Sequence, residues 1–136
     1  MNAWDHLPNA IHIDRVLASV TVHPEEWDDA WDRTGWHGRW HGRMGWILVW
    51  DQAWDQVYSQ AWDQAWDQLR VQVRGHARGH ARGALLALVA YDDSAKYLNM
   101  PIDQLKMLYT LTEHPACVLL QTAAMVFAKE KELAQG

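Results

Sequence analysis

The apolar positions of this chain recur at intervals of three and four residues, which is the spacing of one face of a helix. No stretch alternates between apolar and polar residues as a half-buried strand does. Pro24, Pro101 and Pro115 are each placed to begin a helix, and a further apolar helix is predicted over 84–98. A first short helix before Pro24 is predicted from an apolar stripe of Ile11, Ile13, Val16, Leu17 and Val20. The pattern therefore predicts an all-α fold, a compact bundle of short helices that includes a Trp-rich repeat segment.

The middle of the chain is a four-residue repeat. Its unit is Ala-Trp-Asp-Gln, which changes in the same register to Ala-Arg-Gly-His. We call the position of the Trp and Arg side chains the Trp register; it reads Trp46, Trp50, Trp54, Tyr58, Trp62, Trp66, Arg70, Arg74, Arg78 and Arg82. Each step of four residues turns a helix by about 400°, so the stripe drifts by roughly 200° between its first and last Trp. A stripe that wraps so far around a helix cannot face one flat core.

A single unbroken helix over this repeat would also be too long. From residue 46 to residue 92 it would extend about 70 Å, whereas a compact chain of this length has a radius of gyration of about 14 Å. We therefore predict at least one break, near Tyr58 and Ser59 or between Gln68 and Gly75.

The length of 136 residues predicts a single domain, 1–136, in three parts. These parts are N-terminal helices with a Gly/His-rich segment (1–45), the tetrapeptide repeats (46–83) and apolar C-terminal helices (84–136). With 49% hydrophobic residues and a net charge of −5, the composition excludes a disordered polyelectrolyte. The apolar stretches are shorter than the roughly 18–20 residues that span a bilayer. Neither a signal peptide nor a disulfide is predicted, because no apolar leader opens the chain and Cys117 is its one cysteine. A cytoplasmic protein without membrane contact is expected.

The net charge conceals two opposite poles. Residues 46–69 carry four Asp and no basic residue, a charge of −4, and residues 70–83 carry four Arg and no acid, a charge of +4. An acidic Trp block followed by a basic Gly/His block also occurs earlier, over residues 27–43. This segregation favours contact with another protein or with a second copy of the chain.

The repeat, followed by ALLALVAYDDSAKYLNMPIDQLKML and HPACVLLQTAAMVF, resembles a group of small uncharacterised proteins of tailed phages and prophages. Those proteins carry strings of Ala-Trp-Asp-Ala and Ala-Arg-Asp-Ala units that lead into a similar Asp-Asp-containing helix and an apolar C-terminal helix. The resemblance covers about residues 46–128 and implies a phage or prophage origin, hence the cytoplasm of a bacterial host, without implying an activity. This chain departs from the group by carrying Gly-His where those proteins carry Asp-Ala. The departure weakens the expectation of a continuous helix between Gly75 and Gly83.

The arginines of the Trp register could form a comb for phosphates, with nearby indoles on which a base could stack. The candidate ligand-binding residues are Arg70, Arg74, Arg78, Arg82, Trp62 and Trp66. The alternative is structural, since the Arg block could pair with the Asp block within the chain or across to a second chain. The overall acidity favours pairing over a nucleotide or nucleic-acid site.

Two histidine pairs have the i,i+4 spacing by which a helix offers two imidazoles to one metal ion. They comprise His37, His41, His76 and His80. Because each histidine occupies a repeat position, its spacing is inherited from the repeat, and a metal site is the less favoured interpretation. Asp92 continues the apolar face of the predicted 84–98 helix, one turn after Val89, and Asp93 follows it. Both are predicted to be buried polar residues, and Arg78, Arg82, Lys96 or an indole N–H could bind such a carboxylate. A general base is the less favoured alternative.

The Trp stripe itself is interpreted as core, with Ala53, Ala61 and Ala65 as small neighbours that allow close helix approach. An aromatic pocket is the alternative. No nucleophile motif, phosphate loop or zinc signature is present, so neither an enzyme nor a cofactor is expected. The leading hypothesis is a small non-enzymatic binding or scaffold protein that contacts a protein partner or itself, as in a homodimer. Nucleotide or nucleic-acid binding and metal binding by the His pairs are the alternatives.

Overall fold

The protein is described by a computed structural model that covers residues 2–33, 50–57, 59–111 and 115–135. Over these residues the chain forms helices and no strand, so the predicted all-α fold is confirmed. The helices are α1 (Ala10–Val22), α2 (Pro24–Arg33), α3 (Ser59–Gln72), α4 (His76–Ala90), α5 (Ile102–Leu111), α6 (Pro115–Leu119) and α7 (Gln121–Gln135). Residues 50–54 are also helical, and a 3-10 helix spans Ser94–Tyr97. Within the described ranges, no helix has the length and apolarity needed to cross a bilayer.

The helix α4 is the centre of the bundle. It packs against α1, α2, α3, α6 and α7. Every residue from 83 to 90 is buried, and Leu85, Leu86 and Leu88 are at most 1% exposed. Burying such a leucine contributes about 1.5–3 kcal/mol, so this stretch is a main source of the hydrophobic stabilisation of the fold.

The repeat is broken at both predicted places. The helical residues 50–54 pass through a turn before α3 begins at Ser59, and α3 ends at Gln72. Gly75 then reverses the chain at a φ of 79°, a backbone conformation that a side chain would oppose. After this glycine α4 continues without interruption through Gly79, so the expected weakness of the Gly-His segment is not observed.

Arg78 joins the two helices across this break. Its Nε donates to the carbonyl of Val73 at 2.7 Å, and its Nη2 donates to the carbonyl of Arg70 at 2.8 Å. The last carbonyls of a helix lack partners within the helix itself. The arginine therefore caps α3 from the first turn of α4.

The deepest positions of the repeat belong to alanine rather than tryptophan. We call the position before each Trp-register residue, continued in the same four-residue steps to the end of α4, the Ala register; apart from the half-buried Val57, its described members are buried. Its members with at most 5% exposure are Ala53, Ala61, Ala65, Leu69, Val73, Ala77, Ala81, Leu85 and Val89. Each four-residue repeat rotates this face of the helix by about 40°. Each break begins a new helix in a new direction before that rotation carries the face out of the core. The breaks therefore explain how a four-residue period stays buried along the whole segment.

Candidate functional site

Members of the Trp register from separate helical segments converge around one arginine. The guanidinium carbon of Arg82 lies 5.0 Å from the ring centroid of Trp50, 5.9 Å from that of Trp62 and 4.7 Å from that of Trp66. These distances are within the range of cation–π attraction. Together with Trp54, which packs on Trp62, these residues form what we call the Trp–Arg cluster.

The rings of the cluster are fixed against one another. Trp54 meets Trp62 edge to face, with centroids 5.3 Å apart and an interplanar angle of 83°. Trp62 and Trp66 lie nearly parallel at 6.3 Å and 9°. Trp62 is 3% exposed, whereas Trp50 and Trp66 are half-buried and Trp54 is 40% exposed. The cluster therefore extends from Trp62 in the core to Trp54 at the surface.

Arg82 carries its charge into a poorly solvated position. Burial lowers the pKa of this guanidinium from its ordinary value, but an arginine remains protonated in proteins. Its Nε is buried and has no hydrogen-bond partner among the described residues. Attraction to the indole faces offsets part of the cost of burying the charge.

An acidic edge runs beside the cluster. It consists of the exposed residues that follow the Trp positions, namely Asp51, Asp55, Asp63 and Asp67. Arg70 Nη2 lies 3.2 Å from Asp67 Oδ1, an exposed pair within α3. The other three carboxylates form no ion pair within the described part of the chain, so the outer surface of the Trp-Asp repeat stays negative.

The four arginines do not act as one ladder. Arg82 is the member that joins Trp62 and Trp66; Arg70 pairs with Asp67, Arg78 caps α3, and Arg74 is exposed. The expected pairing of the Arg block with the Asp block is limited, among the described residues, to the single ion pair inside α3. The expected row of guanidinium groups for phosphates is also not formed, because Arg82 is the one arginine of the described Arg block that lies beside the indole rings.

His76 and His80 line a separate cleft of about 420 Å³ together with Asp28 and Trp31. Their rings are 6.4 Å apart, and the His80 ring stacks on Trp31 at 4.8 Å and 15°. His80 Nε2 lies 3.5 Å from Asp28 Oδ1. Across the described ranges, no group of three or more His, Cys, Asp or Glu side chains could hold a metal ion. His37 and His41, the other predicted pair, lie outside the described residues.

The prediction that Asp92 and Asp93 are buried is wrong. Both are exposed, and Asp93 Oδ2 lies 3.5 Å from Lys96 Nζ at the surface. The prediction extended the apolar face of α4 by one turn, but α4 ends at Ala90 and Tyr91 is extended. Asn9 and Ser94 are the polar residues buried at this helix end; Asn9 Nδ2 donates to the carbonyls of Leu88 and Tyr91 and to Ser94 Oγ.

Sequence reasoning did not name Trp50 and Trp54 as site residues, although they share the register of Trp62 and Trp66. The register that these four residues share is the signal that could have identified them. The turn at residues 55–57 brings Trp50 and Trp54 to the other two.

In the comparisons with known proteins, no family model, no curated protein and no solved structure matches the chain. The candidate site is therefore argued from its own geometry.

Proposed function

We propose that this protein is a non-enzymatic helical binding protein that acts through protein–protein contacts, including self-association, at the Trp–Arg cluster. The observation that carries the proposal is the 40% exposure of Trp54 above a buried aromatic base. Tryptophan and arginine are the residues most enriched among those that dominate binding energy in interfaces. A large exposed indole that is held rigid loses little conformational entropy when a partner covers it.

The acidic edge supports the same proposal. Asp51, Asp55 and Asp63 are exposed beside the cluster and form no ion pair within the described residues. Charges at the margin of an interface steer the approach of an oppositely charged partner and suppress wrong pairings. The surface is thus suited to a partner that offers an apolar depression with basic residues around it.

Self-association can be measured directly by sedimentation velocity over protein concentrations from about 1 µM to 1 mM. We expect the wild type to form larger species as its concentration rises. Trp54→Ala is expected to weaken this association at least tenfold, about 1.4 kcal/mol, as for a dominant interface residue. Val71→Ala is the matched control, because Val71 is 80% exposed on α3 outside the cluster. A monomeric wild type, or equal weakening by the two variants, contradicts the proposal.

Binding of a nucleotide is the second candidate function. One observation favours it: the buried Nε of Arg82 has no hydrogen-bond partner among the described residues and lies among indole faces. In this case nucleotides should quench Trp fluorescence, and Arg82→Lys should abolish the quenching while Arg74→Ala does not, because Arg74 is outside the cluster. An absence of quenching across a nucleotide panel rejects this candidate. The exposed carboxylates beside the cluster repel phosphates and make it the weaker of the two.

A phage or prophage origin and a place in the host cytoplasm belong to this proposal. Their support is the tetrapeptide repeat leading into the apolar C-terminal helices, together with a single cysteine that cannot form an internal disulfide. A small scaffold that recognises other proteins requires neither a cofactor nor a catalytic group.

A further inference from the structure

A second surface of the molecule has the opposite character to the acidic edge. A cleft of about 370 Å³ opens between α1, the loop before α5, and α7. Leu98, Met100 and Phe127 supply its apolar lining, and Arg15 and Lys131 supply its charges. Its volume is within the range of about 300–1,000 Å³ typical of pockets that take small ligands, which is enough room for a large aromatic side chain. We call it the basic cleft.

The basic cleft is positively charged although the protein as a whole has a net charge of −5. Arg15 and Lys131 are exposed, no carboxylate lines the cleft, and neither cation forms an ion pair within the described residues. The guanidinium carbon of Arg15 lies 3.8 Å from the ring centroid of Phe127, which holds the charge over the apolar lining. An occupant with an aromatic group and neighbouring carboxylates would satisfy both parts of this surface.

The basic cleft and the helix α3 of the repeat lie on different flanks of α1. Ser19, one turn after Arg15, hydrogen-bonds Glu130 on α7, so this flank faces the cleft. Thr21 contacts Gln72 at the end of α3 at 2.9 Å, so the other flank faces the repeat. The two surfaces of one molecule are therefore separated, and the cleft is open to a second molecule.

We propose that the basic cleft receives the Trp54-bearing acidic edge of a second copy of this chain. The inference rests on the proposed self-association and names the surface that completes it. Charge complementarity carries it: exposed aspartates flank an exposed indole on one surface, and on the other Arg15 and Lys131, which form no ion pair among the described residues, flank an apolar depression. Because the two surfaces differ, the contact is head to tail; an open chain of copies leaves one surface free at each end, and a closed ring leaves none. Chains or rings are expected rather than closed dimers.

The test uses two variants that each block one surface. Arg15→Ala/Lys131→Ala blocks the basic cleft and Trp54→Ala/Asp63→Asn blocks the acidic edge; all four side chains are partly or fully exposed, and circular dichroism checks that both variants fold. In sedimentation velocity each variant alone is expected to remain monomeric where the wild type forms species larger than dimers. An equimolar mixture is expected to stop at a dimer of twice 15.7 kDa, because one intact cleft meets one intact edge.

Arg15→Lys/Lys131→Arg serves as the matched control, since it keeps both charges and should associate within about threefold of the wild type. If Arg15→Ala/Lys131→Ala associates as the wild type does while Trp54→Ala does not, the basic cleft is not the receptor and the proposed function stands. If the mixture of blocked variants remains monomeric, the head-to-tail pairing is wrong. A wild type that is monomeric at every concentration overturns both the inference and the proposed function.

Discussion

Tryptophan has different roles in the N-terminal region, residues 2–33, and in the repeat. Trp4 and Trp27 are 0% exposed, and each donates its indole N–H to a side chain of α1, Asp14 and Ser19 respectively. In the repeat, the Ala register takes the buried face, and Trp54 is left 40% exposed beside it. Trp62 shares the register of Trp54 and is 3% exposed, so the place of the helical segment in the bundle, rather than residue type or repeat position alone, decides whether a tryptophan of this chain builds the core or the surface.

The largest expected effect separates these two groups. Trp27→Ala should lower the free energy of unfolding by about 3–5 kcal/mol, since it empties a fully buried site and removes the edge contact with Phe127. Trp54→Ala should cost less than about 1.5 kcal/mol, because it loses mainly one aromatic pair. Urea denaturation of dilute protein measures both. Comparable losses for the two variants would remove the distinction between core and surface tryptophans.

A second prediction concerns how the N-terminal region holds the central helix. Asn9→Ala leaves the carbonyls of Leu88 and Tyr91 without their side-chain donor, and an unsatisfied buried group costs about 1–3 kcal/mol. Asn99 is exposed and is the matched control, with an expected change within about 0.5 kcal/mol. Equal effects on the denaturation midpoint would show that Asn9 does not cap α4.

A third prediction tests the break that keeps the Ala register buried. Gly75→Ala should lower the free energy of unfolding by about 1–3 kcal/mol, because its backbone conformation is nearly restricted to glycine. Gly79 lies inside α4 with open space around it, so Gly79→Ala should stabilise the protein by about 0.5–1 kcal/mol. Thermal unfolding of the two variants should therefore shift in opposite directions. Shifts of the same sign would contradict this account of the repeat.

The smallest expected effect concerns the core that both regions share. Burial raises the pKa of the Cys117 thiol from 9.0 to about 11. The unfolded chain therefore loses this proton first, so stability is retained below pH 9 and falls as the pH rises from 9 toward 11. Cys117→Ala should flatten this fall in urea denaturation series. In the variant, part of the fall in stability with pH should remain above pH 10, because burial also raises the pKa of Tyr91 and Tyr97. An unchanged slope in the variant would show that the thiol is not the cause.

Local signals in the sequence were enough to place most helices. Pro24 and Pro115 begin helices as predicted, because a proline costs little at a first helical position. The breaks in the repeat were predictable from the helical drift and the size of a compact chain. The helix that begins at Pro115 is interrupted at Leu120, and no proline or glycine in the sequence indicates this interruption.

The errors at the candidate site arise from contacts between distant parts of the chain. Asp92 was predicted from the periodicity of α4, but the helix end is capped by Asn9, which lies 79 residues before Leu88. Arg78 looked like one member of a phosphate comb, and its role as a cap depends on the turn at Gly75. The members of the Trp–Arg cluster come together because the repeat is broken at residues 55–57 and again at Gly75. The register therefore indicated candidate residues, but it did not show which of them would be in contact.

Hydroxyl-radical footprinting, read for each tryptophan by mass spectrometry, tests the central claim most directly. In dilute protein we predict rapid oxidation of Trp54, partial oxidation of Trp66 and protection of Trp4 and Trp27, following their exposures. At high protein concentration Trp54 should become protected while Trp4 and Trp27 do not change. Protection of Trp54 in dilute protein, or oxidation of Trp54 that is independent of concentration, would contradict the claim that this residue is the contact surface.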